Sequence, residues 1–149
     1  VFTAVDGLRT SRYCLIYSVI YLVTILMVGM DYTVARVRLY NPRDFSRFID
    51  LELLVDTSST YTWVRRRRLE ELSVKPTAWW RCGIIDGRVV KRDIGEVVVE
   101  CLGERATRIA MFAEESNAEV LGVDALEGLR LKVDPVTRQL RKVEALLAV

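Results

Sequence analysis

The sequence contains no histidine. That excludes a Ser-His-Asp triad, a Cys-His pair and any His-bound metal. Acid–base chemistry is left to carboxylates, lysine, tyrosine or cysteine. Cysteine is scarce: Cys14, Cys82 and Cys101 are odd in number, and no pair has Cys-x-x-Cys spacing. A disulfide framework or a zinc site is therefore not expected. Free, mostly buried thiols in a reducing, cytoplasmic compartment are. An excess of one charge is missing as well. Twenty-two basic and twenty acidic residues leave +2 over 149 residues, a balance unlike that of a bulk nucleic-acid binder. No internal repeat or low-complexity tract is visible. What is present is apolar sequence. At 51% hydrophobic residues the chain is too apolar for disorder, and its length suits one domain with an appendage.

The apolar content is uneven. Residues 1–30 contain the uncharged run Tyr13–Met30, YCLIYSVIYLVTILMVGM. As a helix it would be about 27 Å long, just enough to span a hydrocarbon core of about 30 Å. Arg9 and Arg12 precede it and Arg36, Arg38, Arg43 and Arg47 follow, a bias that puts a following domain on the cytoplasmic side. The run offers a membrane anchor. The competing expectation is a start-site extension ahead of a self-sufficient domain, residues 31–149, since the chain opens on Val1.

From Asp31 the pattern changes to short alternating runs. Tyr32–Leu39 and Phe48–Val55 alternate with period two, as half-buried strands do, around an Asn41-Pro42-Arg43-Asp44 turn. Tyr61–Val64 is β-prone. Arg65–Leu72 predicts a helix with Leu69 and Leu72 on one face, stopped by Lys75-Pro76. Trp79–Val90 predicts a hairpin about Ile85-Asp86-Gly87-Arg88, with Asp-Gly as the turn signal. Glu96–Leu102 and Arg108–Phe112 predict two strands joined through Gly103-Glu104, and Glu119–Gly122 a further short one. Asp124–Leu129 suits one or two helical turns. Leu129–Val133 and Gln139–Val143 flank Asp134-Pro135 as a last hairpin. Many short strands with one or two short helices predict an all-β sandwich or barrel.

The chemistry concentrates in Leu53-Leu54-Val55-Asp56-Thr57-Ser58-Ser59-Thr60. An aspartate that follows a buried apolar strand and opens a Thr/Ser turn is ringed by hydroxyls and backbone N–H donors, which orient its carboxylate. The plain alternative is an Asx-turn, in which Asp56 bonds the backbone two residues on.

The segment resembles the active-site loop of retropepsin-like aspartic proteases, the single-domain relatives of pepsin. Their motif is an apolar run followed by Asp-Thr/Ser-Gly. Two further features of that family stand in order. Gly83-Ile84-Ile85-Asp86-Gly87 occupies the place of the flap hairpin tip. Val120-Leu121-Gly122 occupies that of the apolar pair and glycine before a short helix. The resemblance covers Tyr32 to Val143. One position departs from it: Ser58 stands where the family has glycine.

The resemblance implies a closed, barrel-like acid protease fold and a homodimeric endopeptidase acting on a peptide or protein substrate. Asp56 would meet its symmetry mate around a water, Thr57 would bond across the dimer, and Leu121 and Gly122 would lie under the catalytic loop. The flap would pair with an extended peptide as an added strand. No cofactor or metal is implied. Ser58 opens the alternative of a catalytically impaired peptide-binding or assembly module. A third reading, a nucleic-acid-binding barrel, would use Arg65–Arg68 and Trp79-Trp80. The blander expectation is an exposed helix start paired in part with Glu70 and Glu71, one buried and one partly buried tryptophan, and a charged loop tip at Glu114-Glu115.

Overall fold

Period-two alternation carries the fold into its first hairpin. In the computed structural model, which describes residues 32–145, β1 (Val34–Asn41) buries Ala35, Val37 and Leu39 on one face. It pairs antiparallel with β2 (Asp44–Val55) through the turn at Pro42 and Arg43. The run Tyr13–Met30 and the last residues of the chain lie outside the described residues. A compact unit begins at Thr33. Among the described residues no helix is long and apolar enough to cross a membrane.

The other elements are β3 (Thr62–Arg65), α1 (Arg66–Glu71), β4 (Ala78–Gly83), β5 (Val89–Cys101), β6 (Glu104–Ala113), β7 (Val120–Leu121), α2 (Val123–Gly128), β8 (Leu131–Val133) and β9 (Leu140–Lys142). The protein is all-β with two short helices. Seven strands form one sheet in the order β1-β2-β7-β3-β6-β5-β4, and β1 also pairs with β5. The pairings therefore run from β1 through β2, β7, β3, β6 and β5 back to β1, with β4 added outside β5. β8 and β9 form a separate hairpin.

Within the ring lies a core of Leu39, Leu53, Val64, Leu69, Val97, Val99, Phe112, Leu121 and Leu129. Leu69 of α1 and Leu72, its C-cap, are both buried, as their spacing predicts.

Several details differ from the expectation. The segment Val89–Cys101 is one strand of 13 residues rather than two. Its first half serves the β4 hairpin and its second half β6 and β1. Glycine at position 95 lets it continue past Phe112, Val74 and the Lys75 carbonyl, all within 3.2 Å of where a Cβ would stand. Helix α1 stops before Lys75-Pro76. Ser73 turns left-handed (φ 58), its N–H donates to the Glu70 carbonyl, and the Val74 N–H donates to that of Leu69, the paired closure of a Schellman motif. Leu102 and Gly103 both have positive φ, which gives the two-residue β5–β6 turn the twist that antiparallel strands need. Neither tryptophan of the pair is buried. β4 is the outermost strand, and Trp79 stands 54% exposed on its outer face under the Lys91 ammonium, 3.9 Å from the ring centre.

The arginine run also departs from expectation. Glu70 and Glu71 do not pair with it. Arg65 and Arg68 both reach Glu119, at 2.8 and 3.0 Å. Arg66 bonds Asp93 at 2.9 Å and lies 3.7 Å from Glu114, while Arg67 meets Glu115 at 3.5 Å. The helix thus holds the loop between β6 and β7, because β3 and β6 are parallel neighbours and deliver both segments to the same end of the sheet.

Elsewhere, hydrogen bonds hold several carboxylates below their usual range. Asp50 is held by Arg38, Glu100 by Arg105, Glu104 by Arg130, and Asp134 by the backbone N–H groups of Thr137 and Val136. A carboxyl whose folded pKa is depressed contributes stability above its unfolded value, near pH 4, and loses it as pH falls through the folded value. The thermal midpoint is expected to be flat between about pH 5 and 7 and to drop below about pH 4. A midpoint that rises on acidification, followed by circular dichroism, would contradict this.

Candidate active site

Asp56 ends β2 at the point where the chain stops pairing as a strand. β2 runs parallel to the two-residue β7, with Leu54 opposite Val120 and Val55 opposite Leu121. The Asp56 N–H donates to the Leu121 carbonyl at 3.0 Å. Behind this pair the chain crosses itself closely. A Cβ on Gly122 would stand 2.5 Å from the Tyr61 carbonyl carbon, nearer still to its oxygen, and 2.9 Å from the Ser59 carbonyl oxygen. Those neighbours are backbone and cannot rotate away, so only glycine fits. The Gly122 N–H donates to the buried Thr62 hydroxyl at 3.2 Å. The Ser59 and Thr60 carbonyls accept from the N–H groups of Val123 and Asp124, two of the donors that the first turn of α2 leaves without helical partners.

The carboxylate of Asp56 is half-buried, and Thr57 and Ser58 are exposed. Its Oδ1 accepts both the Ser58 N–H at 2.9 Å and the Ser58 hydroxyl at 2.5 Å. The first of these bonds is the Asx-turn foreseen from sequence; the second is specific to serine. Ser58 is absent from the positive-φ residues, so its backbone conformation is open to any residue. The loop accommodates the serine without backbone strain.

The segment Gly83–Gly87 closes the β4–β5 hairpin. The Ile84 N–H donates to the Arg88 carbonyl, and the Gly87 N–H donates to the Ile84 carbonyl, both at 2.9 Å. Gly87 has φ +84, where a side chain would be strained. Asp86 accepts the Arg88 N–H and guanidinium. Ile85 stands at the tip, 79% exposed. Lower on the hairpin, the Trp80 ring packs against Tyr61 with centroids 5.1 Å apart. That contact links the flap-like hairpin to the end of the Asp56 loop. The structure thus brings Asp56, Thr57, Ser58, Leu121 and Gly122 together, and connects Gly83–Gly87 to them through Trp80 and Tyr61.

Thr62 and Tyr61 were not singled out from sequence, and Trp80 only as half of the Trp79-Trp80 pair. Thr62 had a signal, a polar residue at an apolar phase of a strand. The Tyr61–Trp80 contact had none, being set by how the hairpin folds over. Among the described residues no group of three His, Cys, Asp or Glu could hold a metal ion. Cys82 is half-buried and Cys101 buried, both free.

No protein-family model matches the chain, and no curated protein matches it in sequence. The site therefore stands on its own geometry.

Gly122→Ala is expected to cost about 3 kcal/mol, the upper end for overpacking, because backbone must move to admit the methyl. Gly83→Ala, with nothing within 4 Å of its Cβ position, should stay within about 0.5 kcal/mol of the unsubstituted chain. Urea unfolding midpoints measure both. Equal effects would show that the crossing at Gly122 is not tight.

Proposed function

We propose that the protein is a homodimeric aspartic endopeptidase of the retropepsin type, with Asp56 as its catalytic carboxylate. The observation that carries the reading is the crossing at Gly122, which seats Val120-Leu121-Gly122 directly behind the Asp56–Ser59 loop. The return of the strand pairings to β1 supports the finer reading of the fold as a closed acid-protease barrel. A hairpin with an exposed apolar tip, packed through Trp80 onto the same loop, suits a flap.

One chain supplies one Asp-Thr loop, and the chemistry needs two. Two Asp56 carboxylates brought together cannot both ionise, so the pair shares one proton. The ionised one takes a proton from a water held between them. The protonated one polarises the scissile carbonyl as that water attacks. Thr57, exposed beside Asp56, would bond across the dimer. Free backbone edges of the flap pair with an extended peptide.

Ser58 favours a second reading, a silenced protease that binds peptides without cutting them. Its hydroxyl takes a lone pair of Asp56 Oδ1 that would otherwise be open to the water or the partner carboxylate.

Hydrolysis of a denatured protein by the full chain at pH 4–7 is expected, blocked by a statine-type inhibitor and reduced about 10²–10⁴-fold by Asp56→Asn. Activity that appears only in Ser58→Gly would establish the silenced enzyme. Inertness of both forms as confirmed dimers would sink the protease reading.

A further inference from the structure

We infer that Arg92 is a specificity residue of the flap hairpin, selecting peptides that carry an acidic side chain where they pass its base. The inference rests on the reading of the hairpin as a peptide-binding flap.

Directly opposite residues of an antiparallel pair share a face, as do alternate residues along each strand. Trp80 lies opposite Arg92, and Cys82 opposite Val90. These four therefore share one face, and Trp80 turns it toward the Asp56 loop by packing on Tyr61. The other face carries Trp79, Arg81 and Lys91. The wall turned toward the site is thus apolar except for one guanidinium. Burial pushes the Cys82 thiol up and the Arg92 charge pulls it back.

The carboxylates around it are already matched. Asp93, Glu114, Glu115 and Glu119 each engage an arginine of the run Arg65–Arg68. On the distant β1–β2 face the same holds, with Arg36 on Glu52 and Arg38 on Asp50. Arg92 has only neutral acceptors. Its Nε donates to Asn117 Oδ1 at 3.3 Å and its Nη1 to the Lys91 carbonyl at 2.8 Å. Asn117 Oδ1 is itself shared with the Glu114 N–H. A guanidinium offers five N–H donors in a planar fork, so three remain for a ligand. A half-buried cation with spare donors, held in place by Asn117, is the complement of a carboxylate.

The test uses the full chain carrying Asp56→Asn, so that binding is read without cleavage. The probes are fluorescein-labelled octapeptides of Ala and Phe with one Glu, Gln or Lys moved through each position. Fluorescence anisotropy at pH 7 is expected to show, at one position, Glu binding about tenfold tighter than Gln. Arg92→Lys should retain part of that preference, Arg92→Gln abolish it, and Arg92→Glu reverse it in favour of Lys. Equal binding of Glu and Gln peptides at every position, no binding at all, or a preference that survives Arg92→Gln overturns the inference. Incubating the same peptides with the chain that retains Asp56 separates the two readings. Cleavage with no Glu preference removes the role of Arg92 and leaves the protease. Glu-selective binding without cleavage removes the protease and leaves Arg92.

Discussion

The rest of the structure depends on one close approach of backbone to backbone. Gly122 passes behind the carbonyls of Ser59 and Tyr61 with no room for a Cβ. That crossing lets a strand of only two residues sit between β2 and β3. So short a strand has few ladder bonds of its own. It is held instead by the Asp56 N–H on Leu121, by Thr62 on the Gly122 N–H, and by two loop carbonyls on the start of α2. Buried backbone groups must find partners, and here the Asp56 loop and β7 supply them to each other. A carboxylate just past the end of β2 is therefore mounted on tightly bonded backbone.

Electrostatics reinforces the same corner. The loop between β6 and β7 is acidic, and α1 opens with arginines. Each alone would be a solvated, self-repelling stretch. Parallel pairing of β3 with β6 brings them together. Glu119, whose side chain is 11% exposed, binds two arginines and the Arg65 N–H. The loop leading into β7 is thereby held from outside while Gly122 holds it from inside. The hairpin of β4 and β5 is different: beyond Trp80 its tip makes few buried contacts, and Ile85 stands 79% exposed.

Ser58 shows how far a local rule reaches. In the family that the loop resembles, glycine stands there, and serine would raise concern for the backbone. The structure keeps its φ out of the left-handed region and turns its hydroxyl onto Asp56. The consequence is chemical rather than conformational. One lone pair of the carboxylate is engaged, and the question shifts from whether the loop folds to what that oxygen still does.

Much of the fold was legible in the residues because it depends on near neighbours. Alternation with period two gave β1 and β2, Asp86-Gly87 gave the flap-like turn, Leu69 and Leu72 gave the buried face of α1, and Asp134-Pro135 gave the last hairpin. Each is set by side-chain direction or by turn geometry over a few positions. The Asp56 loop and Gly122 were picked out by their likeness to a family's motifs, and the structure sets them side by side. Strand length was not: nothing within Val89–Cys101 signals that one strand serves three partners. Nor was the pairing of the arginine run with Asp93, Glu114, Glu115 and Glu119, nor the Tyr61–Trp80 contact, nor the neutral partners of Arg92. By itself the sequence determined which residues are apolar, where the chain turns and where a carboxylate follows an alternating strand. Only the tertiary structure decided which distant charges meet. Those outcomes depend on strand order and register, and no local pattern encodes either.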